Sequence, residues 1–410
     1  MRNKILLIFC LLSLPIWVQG GGYQVNLVGV RYIGMGHIGT ALSLDAGTIF
    51  FNPGNQSFLK DKFSITGSVS ALFSYTAFQR TGSPTIERTN NPIAPPFSLF
   101  ASYKITDKLS AGLGVYTPYG SAVKWNNDWS GQNIVQNIKL QTVLVQPTVS
   151  YKITDMISIG AGLVFAYGKV NLNKRVNGLS DSSGNATTVN LKGHSNNWGF
   201  NAGIGFKPTE KLSFGFSYRS KINMNVKNGT ADFSNVPGSL SSSIPSNNTF
   251  NATLPLAANW NFGVSYQFSD KLLIGADFNL VQWKAYDSLI FTFGQNPSTL
   301  NQRFGKKYNN GWIVRLGAQY KISDMIIVRA GGYYDNSPVS SNYISPETPD
   351  ANRIGVSAGL SVFPVERLSI DASFLFVDEF KRSGSYAQEG FSGTYKSLAY
   401  IPGIGVTYNF

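Results

Sequence analysis

Six times along the chain, a short polar turn built around an acidic residue joins two runs of alternating apolar and polar side chains. The turns read YKITDKLSAG from Tyr103, YKITDMISIG from Tyr151, FKPTEKLSFG from Phe206, YQFSDKLLIG from Tyr266, YKISDMIIVR from Tyr320 and, more loosely, FPVERLSIDA from Phe363. Their starts lie 43 to 60 residues apart. Flanking runs such as Leu109, Ala111, Leu113, Val115 and Leu212, Phe214, Phe216, Tyr218 keep a period of two. That period belongs to a strand with one apolar and one polar face, and runs of about eight residues or more suit strands that cross a membrane.

Longer Ser/Asn/Gly/Pro-rich stretches lie between the tight turns, near 80–93, 118–137, 173–191, 225–251, 293–307, 336–350 and 382–393. Short turns at one end and long loops at the other are the asymmetry of an outer-membrane barrel. Six turns and seven loops join fourteen antiparallel strands, beginning near Lys62 and ending at the C-terminus. The last strand carries Ile404, Val406, Tyr408 and Phe410 on one face, read here as its lipid face. A soluble β-sandwich or propeller is the alternative, but its strands usually run only about five or six residues.

The leader is legible separately. Arg2 and Lys4 precede an apolar run from Ile5 to Val18 that ends in Val18-Gln19-Gly20, the layout of a secretory signal peptide over residues 1–20. Cys10 sits in mid-run and is the only cysteine, so the exported chain has no disulfide, thiolate nucleophile or Cys-based metal site. Beyond the leader no apolar stretch reaches the roughly 18 to 20 residues of a spanning helix. Removing Arg2 and Lys4 leaves 32 cations against 21 acids, a net charge of +11. The cations are scattered, with no basic run, so anionic lipid headgroups or an anionic ligand fit better than nucleic acid.

Residues 21–61 differ from everything after them. GYQVNLVGVRYIGMGHIGTALSLDAGTIFFNPGNQSFL is glycine-rich, lacks sustained alternation and is too apolar for a disordered tail. A fourteen-strand barrel encloses more room than its own side chains fill. The segment is therefore expected to be a plug inside the barrel of residues 62–410.

These residues resemble the FadL/TodX family of outer-membrane transporters across essentially the whole mature chain. The plug carries Gly34-Met35-Gly36, Gly39-Thr40-Ala41 and the stretch from Asp45-Ala46-Gly47 to Phe51-Asn52-Pro53. In the barrel the similar runs are GVYTPYG from Gly114, SYRSK from Ser217, TLPLAANWNFGVSYQ from Thr253 and YYDNSPVSSNYISPETPDANR from Tyr333. The resemblance implies a barrel plugged by an N-terminal hatch and passive uptake of long-chain fatty acids or other hydrophobic molecules. Ligand would be captured among outer loops, held in an internal pocket against the hatch and released sideways at the third strand. Two departures stand out. Gly54 replaces the usual alanine of the hatch motif Asn52-Pro53-Gly54, which is expected to loosen the hinge. The stretches 173–191 and 225–251, which look like the capture loops, are only thinly apolar.

With the apolar parity facing lipid, the other parity faces the lumen. The six strands that follow the turns then present Gly112, Gly160, Gly215, Gly275, Arg329 and Asp371 in one row. Two residues on stand Gly114, Gly162, Ser217, Asp277, Gly331 and Ser373. The glycines clear space for the hatch. Asp277, Arg315, Arg329 and Asp371 are expected to form a lumen ion-pair network that braces the wall and pins the hatch. Arg219 and Lys221 are read as inward-facing partners for a ligand carboxylate, and Phe50, Phe51 and Phe58 as apolar ligand contacts. Gly112 and Gly114, with Pro118 beyond them, are read as the weak point of the third strand.

An outer-membrane hydrolase is the rival class, but the only histidines, His37 and His194, have no Ser and acid partners at motif spacing. No cofactor or metal is expected. A general porin or a structural surface protein is the other alternative, and an open lumen conflicts with the plug. The expected partners are hydrophobic small molecules together with outer-membrane lipid and lipopolysaccharide, in a monomer that binds no nucleic acid.

Overall fold

The computed structural model describes residues 22–410, so the signal peptide, Cys10 and Gly21 lie outside the described residues. Fourteen antiparallel crossings form one closed ring of strands. The first crossing, Phe63–Ser70 continued by Phe73–Arg80, pairs with the last, Phe391–Asn409, through registers such as Ser64↔Asn409 and Phe73↔Tyr400. Pairing of the first crossing with the last means that neither of these two strands is left as an open sheet edge.

The repeated turn sequences have a local cause. The residue after each Tyr-Lys or Tyr-Gln pair bonds back across the turn, as in Ile105 N to Leu109 O at 2.8 Å and Ile153 N to Ile157 O at 2.9 Å. The following Thr or Ser accepts from the first amide of the next strand: Leu109 N to Thr106 Oγ1 is 3.0 Å and Leu212 N to Thr209 Oγ1 is 3.0 Å. Outside the ring, apolar residues such as Leu163, Phe200, Ile404 and Phe410 stand exposed on the expected parity.

Two expectations need correction. The stretches near 173–191 and 225–251 are mostly strand: Ile157–Ser180 pairs with Ala186–Phe206, and Ile222–Ser234 with Asn247–Leu256. Their Ser and Asn residues alternate with buried Leu172, Val189, Leu191, Ala231 and Phe233, so polarity on one face hid a strand whose other face is apolar. Lys221 does not face the lumen. Strand Leu212–Arg219 breaks at Ser220 and Lys221, the alternation slips by one, and buried Ile222 and Met224 take the inward positions while Lys221 points out.

The hatch sits inside the ring. It contains short helices Val30–Ile33 and Thr48–Phe51 and a 3-10 helix Pro53–Phe58, around a small core of Tyr32, Met35, Ile38, Leu42 and Phe51. Tyr32 and Phe51 stack with ring centroids 4.2 Å apart.

Candidate functional site: a pinned hatch, an apolar cavity and a window in the wall

Wall glycines meet the hatch backbone directly. A Cβ on Gly160 would stand 2.8 Å from Gly54 N, and one on Gly331 would meet Met35 and Gly36. Gly54 itself is wedged, not loose: a Cβ there would lie 2.7 Å from Gly203 O and 3.0 Å from Gly205 N. Its carbonyl accepts Ser158 Oγ at 2.6 Å and Ser150 Oγ at 3.0 Å. Asn52 caps the 3-10 helix through Gly54 N at 3.0 Å and donates to Thr40 O and Ile204 O, both at 2.9 Å. The glycine thus lets hatch and wall backbones touch, which corrects the expectation of a looser hinge.

Three of the four lumen charges, Asp277, Arg315 and Asp371, hold the hatch, while Arg329 bonds only within the wall. Asp277 accepts Gly39 N at 2.8 Å, Thr40 N at 3.0 Å and Thr40 Oγ1 at 2.8 Å. Arg315 reaches Asn279 Oδ1 at 2.7 Å and Gly36 O at 3.3 Å. The ion-pair partner of Asp371 is Arg31 of the hatch at 3.1 Å, with Asp45 3.7 Å from the same guanidinium. Arg329 bonds Gln319 Oε1 at 2.8 Å and Ser361 Oγ at 2.5 Å. No ion pair joins Asp277, Arg315, Arg329 and Asp371 to one another among the described residues; the arginine that bridges acids across the wall is Arg353, 2.8 Å from Asp335 and 3.0 Å from Glu379 on the strands either side of it. Charged Arg31 and Asp45 inside an otherwise apolar segment were the overlooked signal.

Arg219 is buried, and both terminal nitrogens of its guanidinium are hydrogen-bonded. It donates to Tyr116 Oη at 2.7 Å and Phe50 O at 2.9 Å and lies 4.7 Å over the Phe50 ring. Phe50, Phe51 and Arg219 share a cavity of about 40 Å³ with His37, Asp277 and Arg315. Phe58 is elsewhere, under Lys207 Nζ at 4.3 Å beside the turn after Phe206. His37 accepts Val28 N at 3.1 Å.

Above the hatch lies an apolar cavity of about 100 Å³, lined by Leu140, Leu172, Leu191, Met224, Phe250, Leu254 and Phe291, with Lys306 and Glu347 among its few charged residues. Those two pair at 3.0 Å. A second cavity of about 430 Å³ is lined by residues 92–97, Thr117, Tyr119, residues 120–122 and residues 139–143. Leu140 and Thr142 of that lining belong to the inner face of the fourth strand, Lys139 and Gln141 to its exposed outer face. Both faces can line one cavity only where the wall has a hole.

The hole has a chemical cause. In the second crossing, Ile86–Arg88 and Phe97–Lys104 are separated by residues 89–96, whose Pro92, Pro95 and Pro96 have no N–H to donate. In the third crossing, Leu109–Tyr116 and Gly120–Lys124 are separated by Thr117-Pro118-Tyr119. Contact between the two strands resumes only at the ends: Phe97 N to Thr117 Oγ1 at 3.0 Å below, and Asn90 N to Lys124 O at 2.8 Å above. Gly112 and Gly114 lie below this window, paired to both neighbours through Ser102 and Thr148, and Phe100 and Gln146. A Cβ on Gly112 would meet Ile49 at 2.5 Å and Gln56 at 2.6 Å, and one on Gly114 the Phe100 ring at 2.6 Å. The structure therefore moves the weak point from the glycines to the proline-broken segments. The window cavity shares Ser121, Leu140, Thr142 and Lys169 with the internal apolar cavity.

A family model described as outer membrane protein transport protein (OMPP1/FadL/TodX) matches residues 12–410. The chain belongs to this family. It is an outer-membrane β-barrel of the FadL/TodX transporter type. It is 21% identical to a long-chain fatty acid transport protein of Escherichia coli, over 100% of this chain and 98% of that one. Among solved structures, a Pseudomonas aeruginosa FadL homologue superposes with a TM-score of 0.84 at 20% identity, covering 95% of this chain and 100% of that one. The Ralstonia pickettii toluene transporter TbuX gives 0.72 at 16% identity, covering 96% and 99%.

Proposed function

We propose that this protein takes up long-chain fatty acids or similarly shaped apolar molecules by passive transfer, from the cavity above the hatch out through the wall into the membrane. The observation that carries this reading is the shared lining of the internal cavity and the proline-edged window. An apolar ligand leaving downward into water would lose roughly 0.8 kcal/mol for each CH₂ uncovered. Leaving through the window keeps it in a nonpolar phase. The hatch, pinned by Asp277, Asp371 and the Gly54 contact, blocks the straight route.

The apolar lining with Lys306 and Glu347 among it suits a long tail with one polar end, and for this reason a fatty acid is placed ahead of an aromatic hydrocarbon. Arg219 is already committed to Tyr116 and Phe50, so it serves the hatch before any ligand. Direct binding to the purified protein of fatty acids, aromatic hydrocarbons and sugars tests the reading. Fatty acids are expected to bind most tightly, and binding of sugars alone would end it.

A further inference from the structure

On the outer face of the barrel, beside the window, four lysines and a histidine border one groove. Lys139, Lys169, Lys192, Lys227 and His194 line a cavity of about 430 Å³ that has no acidic residue in its lining. The strand registers make the cluster continuous: Lys169 lies opposite Gln141 and His194, Asn171 opposite Lys139 and Lys192, and Lys192 opposite Thr230. All five side chains are exposed. None of the four lysines has a salt-bridge partner among the described residues. The nearest carboxylate along this face is Asp232, one outward position beyond Thr230 and opposite Asn190.

Height gives the cluster its meaning. Along strand Ile157–Ser180, the outward residues Ile157, Ile159, Leu163, Phe165 and Tyr167 are apolar or aromatic, and Lys169 comes next. Ten residues of strand tilted by roughly 40° rise about 25 Å, the height of the apolar band of such barrels. On the neighbouring strand, exposed Phe200 and Trp198 end the band two rungs below His194. The cations thus begin at the level of the headgroups of the outer leaflet. Unpaired lysines held on rigid strands at that level are placed to bind phosphate by charge-assisted hydrogen bonds.

We propose that this groove binds the phosphates of an outer-leaflet phosphoglycolipid of the lipid A type. Lys139 and Lys169 also line the window, so the bound lipid stands at its outer rim. The inference rests on the membrane placement and the registers, and is independent of what the protein transports.

The test uses the full-length purified protein, stripped of copurified lipid, and native mass spectrometry with bisphosphorylated and dephosphorylated lipid A. The unmutated protein should prefer the bisphosphorylated form by about tenfold or more, from several cations each contributing near the surface. The combined variant Lys139→Gln, Lys169→Gln, Lys192→Gln, Lys227→Gln should lose that preference while keeping its heat-modifiable migration on gels. Equal binding of the two lipids by the unmutated protein overturns the proposal, as does an undiminished preference in the variant. Complete displacement of the lipid by an equal concentration of inorganic pyrophosphate would also overturn it, by showing a site for free phosphate and not for a lipid.

Discussion

Replacing Asp277 with Ala should release the hatch locally without harming the barrel. The carboxylate accepts three hydrogen bonds from the hatch, two of them from the buried backbone amides of Gly39 and Thr40. Hydrogen bonds to a charged group contribute about 1.5 to 3 kcal/mol each, and a buried donor left without a partner costs about 1 to 3 kcal/mol. Water entering the vacated space recovers part of this, so a net loss of about 3 kcal/mol in local stability is a fair working figure. At 1.4 kcal/mol per decade, that raises amide exchange about a hundredfold where opening is local. Hydrogen exchange read by mass spectrometry should show the change in peptides spanning residues 34–42, with the barrel strands unaltered. Asp277→Asn retains one acceptor oxygen and should give a smaller effect. Unchanged exchange in 34–42, or equal acceleration across the whole barrel, would refute the idea that this carboxylate is a hatch pin.

Two further outcomes follow from the same geometry. Gly160→Val sets a side chain against Pro53 and Gly54, whose N would lie 2.8 Å from the new Cβ. Overpacking of about 1 to 3 kcal/mol should undock the 3-10 helix, exposing residues 52–58 to protease and raising ion conductance in planar bilayers from near zero, and a protected, non-conducting variant would contradict the docking account. Burial beside Phe58, with Lys60 nearby, lowers the Lys207 amine from the usual 10.5 to about 8. The unfolded chain holds this proton more tightly, so stability from the group rises as pH climbs from about 8 toward 10.5. Amine-reactive labelling of Lys207 should have its midpoint near pH 8, and one near 10.5 would rule the environment out.

The alternating runs and the terminal Phe410 expressed the barrel because period two is a local property that needs no knowledge of neighbours. The hatch was visible as a segment, but its fastenings were not. Arg31 meets Asp371 across 340 positions of chain, a pairing that local pattern cannot specify. Lys221 was misplaced because a two-residue strand break shifts every later side chain to the other face, and the sequence marks that break with nothing stronger than Ser220. Gly112 and Gly114 drew attention as strand breakers, yet their missing side chains make room for Ile49, Gln56 and Phe100. The stronger signal is Pro92, Pro95 and Pro96, which cannot donate to a ladder wherever they are placed, and of which only Pro92 falls within the polar stretch near 80–93.

Transfer through the window is the central claim, and filling the window tests it most directly. Ala94 and Ala122 both line the window cavity of about 430 Å³ and neither lines the internal one, and Ala94→Trp with Ala122→Trp would occupy much of it while leaving the internal cavity above the hatch in place. Uptake of a labelled fatty acid by cells carrying this variant should fall at least about tenfold, the loss expected when a blocked route adds roughly 1.4 kcal/mol or more to the barrier, with binding to the purified barrel retained. If the filled variant assembles, binds and transports as well as the parent, ligand does not leave through the wall between the second and third strands.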